Sequence, residues 1–245
     1  MINVDFDFTS ELDGFWDGFW DRNDGLGAGN CDPDSKSTTL QLFHKKLWSK
    51  KLPNEEEMIL QMDEDYGGNL ILRWKDFRFS SDSIIVSFRY KKYRHIINQA
   101  MKCLDDYKNF FENMIRKSYT IGGMIIFPKH QQSINQMRGT NDLVSDRWDL
   151  TLECIRRYYE NEDSPLYNTL VRDKEFFDLF VDFKGYVDFF LLQDMVRDDY
   201  SSVDIWCGND SFSECGLPKT VEDYFVFIEK EMDFLEKRNA RIGIS

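Results

Sequence analysis

Apolar residues recur at two different periods along this chain, and the change of period divides it. Ser37 to Trp48 reads as a short helix, closed by Lys50-Lys51-Leu52-Pro53. A β meander follows. Met58 to Met62 alternates loosely, Asp65-Tyr66-Gly67-Gly68-Asn69 turns, and Leu70 to Phe79 runs as a strand. Ser80 to Ser83 reads as a second turn, with a third strand over Ile84 to Tyr90. From Tyr93 to Lys117 the residues Ile97, Met101, Leu104, Phe111 and Ile115 keep helical spacing and predict one long amphipathic helix. Ile121 to Phe127 is a buried strand stopped by Pro128.

Beyond Pro128 the helical period dominates. Asp146 to Glu160 predicts a helix with Trp148, Leu152, Ile155 and Tyr159 on one stripe. Ser164-Pro165 is a helix start, with serine as cap and proline in the first turn. Phe176 to Val196 is apolar nearly all round, the mark of a central helix. Val203 to Trp206 is a short strand, and Thr220 with Asp223 forms a capping box that opens a last helix to about Ala240. The fold class is α+β: a small antiparallel β meander packed with a mainly helical C-terminal half. Residues 1–245 form a single domain, a mixed α/β lobe to about 128 and a helical, acidic lobe from about 129.

Charge sharpens that division. The chain has 245 residues and a formal charge of −13, which argues against a bulk polyanion binder. The acidity is local, however. Glu160 to Glu236 hold 20 acids and 6 bases, whereas residues 1–159 hold 24 acids and 22 bases. An acidic lobe is ordinarily a solvated face; less often it docks on a basic partner. Aromatic residues make up 16% of the chain, mostly assignable to helix cores. The doubled Gly14-Phe15-Trp16-Asp17 and Gly18-Phe19-Trp20-Asp21 reads as an aromatic plug, with a stacking platform as the alternative. Asp21, Asn23 and Asp32 stand near calcium-loop spacings, but Leu26 occupies the position that needs glycine.

Five scattered cysteines without a CxxC pair, and an N-terminus without a basic or apolar leader, predict a cytoplasmic protein with reduced thiols. No apolar stretch is long enough for a bilayer. Only His44, His95 and His130 offer imidazoles, and no two share helical i, i+4 spacing, so no zinc site is expected. The phosphate-loop, metalloprotease and serine-hydrolase motifs are all absent, which removes the easy enzyme classes.

Three constellations remain. The first is arginine-rich: Asn135 and Arg138 in the stretch Ser133 to Gly139, then Arg147, Arg156 and Arg157 on the following helix. Guanidinium forks and free helix N–H groups can hold a phosphate. The alternative is an ion-pair ladder through Asp149, Glu153 and Arg157. The second is acidic: Asp178, Asp182, Asp188 and Asp194 interrupt the central helix, with Lys184 beside them. Asp178 and Asp182 share a face at i, i+4 and can hold Mg²⁺ or act as an acid–base pair; structural ion pairs are the alternative. The third is basic and aromatic, His44 to Lys51 and Arg89 to His95, a mixture suited to phosphate contacts with base stacking. A solvated face is its ordinary meaning, so nucleic acid is disfavoured as a partner.

Four runs carry a resemblance: Asp76 to Ile85, Ser133 to Gly139, Asp149-Leu-Thr-Leu-Glu-Cys-Ile-Arg-Arg-Tyr-Tyr159, and Asp182-Phe-Lys-Gly-Tyr-Val-Asp-Phe-Phe190. The chain resembles, over nearly its whole length, a bacterial or phage-associated family with a domain of unknown function. The resemblance implies a self-contained domain and supplies no activity, cofactor or catalytic residue. The sequence reading is therefore a protein that binds a phosphate-bearing ligand, a nucleotide or nucleic-acid end, through Asn135, Arg138, Arg147, Arg156 and Arg157, with Asp182 and Lys184 as second-line residues. The rival is an interaction or inhibitor protein using the acidic surface (Asp198, Asp199, Glu229 and Glu231). A third reading is a hydrolase or transferase using Asp178, Asp182 and Mg²⁺. No other cofactor is expected.

Overall fold

A computed structural model describes residues 2–17, 32–84, 94–140, 143–144, 147–206 and 218–244. Four antiparallel strands form one sheet in the order β1-β2-β3-β4: Gln61–Glu64, Leu70–Trp74, Phe77–Ser83 and Met124–Pro128. The first turn is the expected one. Asp65 Oδ1 accepts from the backbone N–H of Gly67 (2.8 Å) and Asn69 (3.0 Å), while Gly68 takes φ +70°. Such an Asx turn clamps the β1–β2 hairpin.

The second turn is a correction. Leu70 to Phe79 is not one strand but a hairpin. Trp74 pairs with Phe77 across a two-residue loop in which Lys75 is left-handed, φ 51°. Ser80 to Ser83, expected to turn, continues β3 and pairs with β4 from Ser80↔Phe127 to Ser83↔Met124. Serine reads as a breaker, but Ser81 faces inward and its hydroxyl is bonded to His44 Nε2 at 2.9 Å. Strand alternation then puts Arg78, Ser80 and Asp82 on the face opposite Phe79 and Ser81. The strand expected over Ile84 to Tyr90 lies, beyond Ile84, outside the described residues, as do Gly18 to Asp21, Asn23 and Leu26.

Two small helices precede the sheet, α1 (Pro33–Lys36) and α2 (Thr38–Trp48); Ser37, expected as the first residue of the latter, is its cap. Between β3 and β4 the predicted long helix is two, α3 (Arg94–Lys102) and α4 (Tyr107–Ser118). Asp106 caps α4 by accepting from Asn109 N–H at 3.2 Å, a local bond that competes with continuing the helix.

Helix α5 (Trp148–Tyr159) matches its prediction to within two residues at its start. The next helix, α6 (Tyr167–Arg172), begins after Leu166, so Ser164 does not cap it. The expected central helix is also broken. Short α7 (Lys174–Asp178) and α8 (Phe183–Phe189) are separated by Val181 at φ 71°, and Leu191 at φ 57° ends the run. Asp182 is the cap of α8, accepting from Gly185 N–H at 2.7 Å, not an interior acid. A Cβ on Gly185 would collide with the Phe180 carbonyl, so the chain doubles back where only glycine fits. Val203 forms an isolated bridge with Val196 in place of the expected strand. Helix α9 (Val221–Ile244) starts with the predicted box: Asp223 N–H donates to Thr220 Oγ1 at 3.1 Å and Thr220 N–H to Asp223 Oδ2 at 3.0 Å. The result is α+β with a helical C-terminal half.

One hydrophobic cluster runs from Phe15 to Leu235 and draws on both halves of the chain. Aromatic rings supply much of it. Phe180 lies 5.1–5.3 Å, centroid to centroid, from Phe176, Tyr186, Phe189 and Phe190. Phe15 of the first Gly-Phe-Trp-Asp copy is buried against Trp16 and Tyr119, the packing role read for it.

Candidate functional site

The four arginines of the predicted site do not meet. Arg138 is 3% exposed; its Nη2 donates to Asp82 Oδ2 at 2.6 Å and to the Ser83 carbonyl at 2.8 Å. Arg147 is fully buried and forks onto Asp149, whose second oxygen also accepts from Trp206 N–H at 3.0 Å. Arg156 holds Glu153 in a two-bond fork (2.8 and 2.9 Å) and reaches Glu162 at 3.0 Å; Arg157 donates to Glu153 at 2.9 Å. Arg147 precedes the first turn of α5 and Arg156 sits in its last, a separation of nine residues or about 14 Å at 1.5 Å per residue. Internal carboxylates therefore engage these guanidiniums at three separate places. Burial alone would raise the Glu153 carboxyl, but the two guanidiniums hold it below its ordinary value.

The acidic constellation is dispersed as well. Asp178 pairs with Lys174 at 2.5 Å on the surface, and Asp182 is occupied as a cap. Their predicted shared face does not form, because left-handed Val181 lies between them. Lys184 pairs with Asp188, which also accepts from Tyr200 Oη at 2.7 Å. No group of three or more metal-ligating side chains is found among the described residues. Of the acidic-surface residues, Asp198, Asp199 and Glu229 are exposed, but Glu231 is buried.

The first basic–aromatic strip is split by the wall of the core. His44 and Trp48 point inward, where Trp48 Nε1–H donates to His44 Nδ1 at 3.0 Å. Because indole only donates, the bond fixes the neutral tautomer with its proton on Nε2, toward Ser81. Burial, with Arg238 nearby, pushes the His44 pKa down to about 3. Lys50 Nζ donates to the Phe189 carbonyl at 3.1 Å and lies over the Phe189 ring. Trp48 is thus unavailable for stacking. Of the second strip only Arg94 and His95 lie within the described residues.

A different place gathers polar groups and leaves some of them unmatched. A cleft of about 520 Å³ opens between the Asp65–Gly67 turn, the outer face of β3, and the segment Lys129–Gln136 after β4. Small-molecule sites span roughly 300–1,000 Å³. Arg78 and Ser80 project into it from β3; Lys129, His130, Ser133 and Asn135 line the other wall. Lys129 N–H donates to the Arg78 carbonyl at 2.7 Å, extending the β3–β4 ladder so that backbone, not side chains, sets the spacing of the walls. Beyond Asn135, a single π-helical turn, Gln136–Thr140, carries Arg138 to Asp82, two rungs along the same face of β3 from Ser80. Arg138 thus fastens the wall that presents Asn135.

Charge pairing within the cleft is uneven. Lys129 is neutralised by Asp65 at 2.5 Å, and that bond with the Asx-turn N–H groups holds the Asp65 carboxyl far below its ordinary value. His130 Nε2 lies 2.7 Å from Asp173 Oδ1, and its Nδ1 2.7 Å from the Gln131 carbonyl. A carbonyl only accepts, so Nδ1 carries a proton, and the remaining proton is shared between Nε2 and a carboxyl that burial raises above its usual range. Neither ring nitrogen offers a lone pair to a substrate; the pair positions a loop. Arg78 is the exception. Its Nε is buried and makes no hydrogen bond, as does the buried Oδ1 of Asn135. Two residues that line one cleft therefore each keep a buried polar atom unmatched, a guanidinium donor and an amide acceptor.

Of the residues predicted from sequence, only Asn135 belongs to this cleft. Arg78 was missed although Phe77-Arg78-Phe79-Ser80 shows the signal: a cation alternating with rings on a strand must lie opposite the core.

A family of unknown function, DUF6994, matches residues 2–242, and the chain belongs to it. Nothing matches the chain among the curated proteins or among the solved structures. No described helix is long and apolar enough to cross a membrane.

Proposed function

We propose, for a chain whose family has no assigned activity, that it binds a small phosphate-bearing ligand in the cleft between the Asp65–Gly67 turn and the Lys129–Gln136 segment. Arg78 holds the anion and Asn135 accepts a hydrogen bond from the same ligand. One observation carries this reading: the side chains of Arg78 and Asn135 line the same cleft, and each keeps a buried polar atom, Nε and Oδ1, that makes no hydrogen bond. A buried polar group left unmade costs about 1–3 kcal/mol, and more when charged, so a ligand offering one acceptor and one donor is favoured there. Charge supports an anion. Asp65 neutralises Lys129 and Asp173 faces His130, which leaves the Arg78 guanidinium as the surplus cation. The formal −13 does not oppose this, because salt screens exposed charges beyond about 8–10 Å.

The test is thermal unfolding and titration calorimetry with inorganic phosphate, pyrophosphate and nucleoside monophosphates. At 100 times Kd a ligand adds about 2.7 kcal/mol, or roughly 5–10 °C in Tm for a chain of this size. Wild type is expected to shift, and Arg78→Ala to lose the shift. Absence of any wild-type response to the whole panel, or an Arg78→Ala variant that binds as wild type does, sinks the reading.

A further inference from the structure

We infer that the ligand of this cleft is a mononucleotide, its phosphate on Arg78 and its base against the ring of Tyr66, an inference that rests on the anion-binding reading above. Tyr66 lines the cleft at its β1–β2 rim and is 106% exposed. That exposure is out of character for the chain. Aromatic residues are 16% of the sequence, yet among the described residues the other large hydrophobic side chains left exposed are aliphatic, such as Ile59 and Val181. A ring presented wholly to solvent gains nothing for the fold.

The rim also fixes the backbone that carries that ring. Asp65, one residue before, takes Gly67 N–H, Asn69 N–H, Asn69 Nδ2 (3.2 Å) and Lys129 Nζ, so four bonds fix the turn that carries Tyr66. Lys129 belongs to the segment after β4 that also lines the cleft, so its bond to Asp65 ties the two walls together. With the turn already fixed, stacking a base on the ring orders one side chain and no backbone. The cleft volume of about 520 Å³ is far more than a lone phosphate fills. A flat ring attached to an anion through a sugar matches what is present: a cation and an amide within, an aromatic face at the edge. Base stacking tolerates every base, since each has a π-face, so the preference expected is for a base over none.

Calorimetric Kd values for the four nucleoside monophosphates and for ribose 5-phosphate, on wild type, Tyr66→Ala, Tyr66→Phe and Arg78→Ala, test this. On wild type at least one nucleotide is expected to bind roughly tenfold tighter than ribose 5-phosphate, the usual worth of one stacked base. Tyr66→Ala closes that gap while leaving ribose 5-phosphate affinity in place; Tyr66→Phe keeps it; Arg78→Ala weakens both ligands. Tyr66 touches solvent, so its replacement does not threaten the fold. If ribose 5-phosphate binds wild type as tightly as every nucleotide, or Tyr66→Ala preserves the gap, the nucleotide inference is overturned and anion binding stands. If neither class binds wild type, both fall. A 5′-phosphorylated oligonucleotide that binds at least tenfold tighter than every mononucleotide also overturns it, in favour of a nucleic-acid end.

Discussion

Two regions of this molecule display arginine, and they do opposite things. Around α5, Arg138, Arg147, Arg156 and Arg157 are dense in sequence and each is met by a carboxylate. On β3, Arg78 stands alone between phenylalanines, and its buried Nε makes no hydrogen bond. Density of a residue type therefore says little about a site here. What separates the regions is whether the fold has already supplied the counter-charge. Arg238 shows a third solution: fully buried, it donates to the carbonyls of Phe190, Gly122 and Met124 and uses no carboxylate for those bonds.

The largest way to break the comparison is at Arg147. Removing one partner of a buried ion pair leaves the other charge stranded, at about 3–5 kcal/mol. Asp149→Ala should cost that much by urea denaturation and should leave cleft binding unchanged. If it costs less than about 1 kcal/mol, the α5 arginines are not structural and the contrast fails. Next in size is His44, the neutral counterpart among the satisfied interior groups. Its folded pKa of about 3 lies below the unfolded value of about 6.5, so the unfolded chain binds the extra proton between those limits. Stability is thus full above pH 6.5 and falls as pH drops toward 3, by about 2 kcal/mol between pH 7 and pH 5. The same titration of His44→Gln should be flatter by that amount. Smaller again, Arg78→Met should raise free-protein stability by about 1 kcal/mol, because it strands no internal partner and removes a buried donor that makes no hydrogen bond.

How much of this was legible in the sequence follows the range of the interactions. The α+β class, the Asp65–Asn69 turn, the helix beginning near Ser37 and the Thr220/Asp223 box depend on residues a few positions apart, and the structure has each of them. The misreadings came where a tertiary contact outweighed a local preference. Ser80–Ser83 became strand because Ser81 has His44 to bond. The helix from Phe176 to Val196 broke because aromatic packing folds it back on itself and lets non-glycine residues take left-handed φ. The cleft is assembled from residues 65–67, 78–80 and 129–136, which no short window contains. Asn135, expected beside Arg138 in one site, lines the cleft, while Arg138 is tied to Asp82.

The smallest effect gives the finest test of the contrast. Arg156 and Arg157 share Glu153 at the end of α5, with Glu162 adding a second carboxylate. Unlike Arg147, this cluster borders solvent: the Arg157 side chain is 35% exposed and that of Glu162 50%. Water and salt screen such pairs, so each is worth about 0.3–1 kcal/mol, against several for a fully buried one. Arg157→Gln should accordingly lower stability by about 0.5 kcal/mol in dilute buffer, and the loss should fade by about 0.5 M salt, where charges are screened within a few ångströms. The Asp149→Ala deficit should not fade, because no ions penetrate the core to replace what was lost. Equal salt sensitivity in both variants would mean that the Arg147 pair is hydrated after all, and that burial does not divide the arginines as argued.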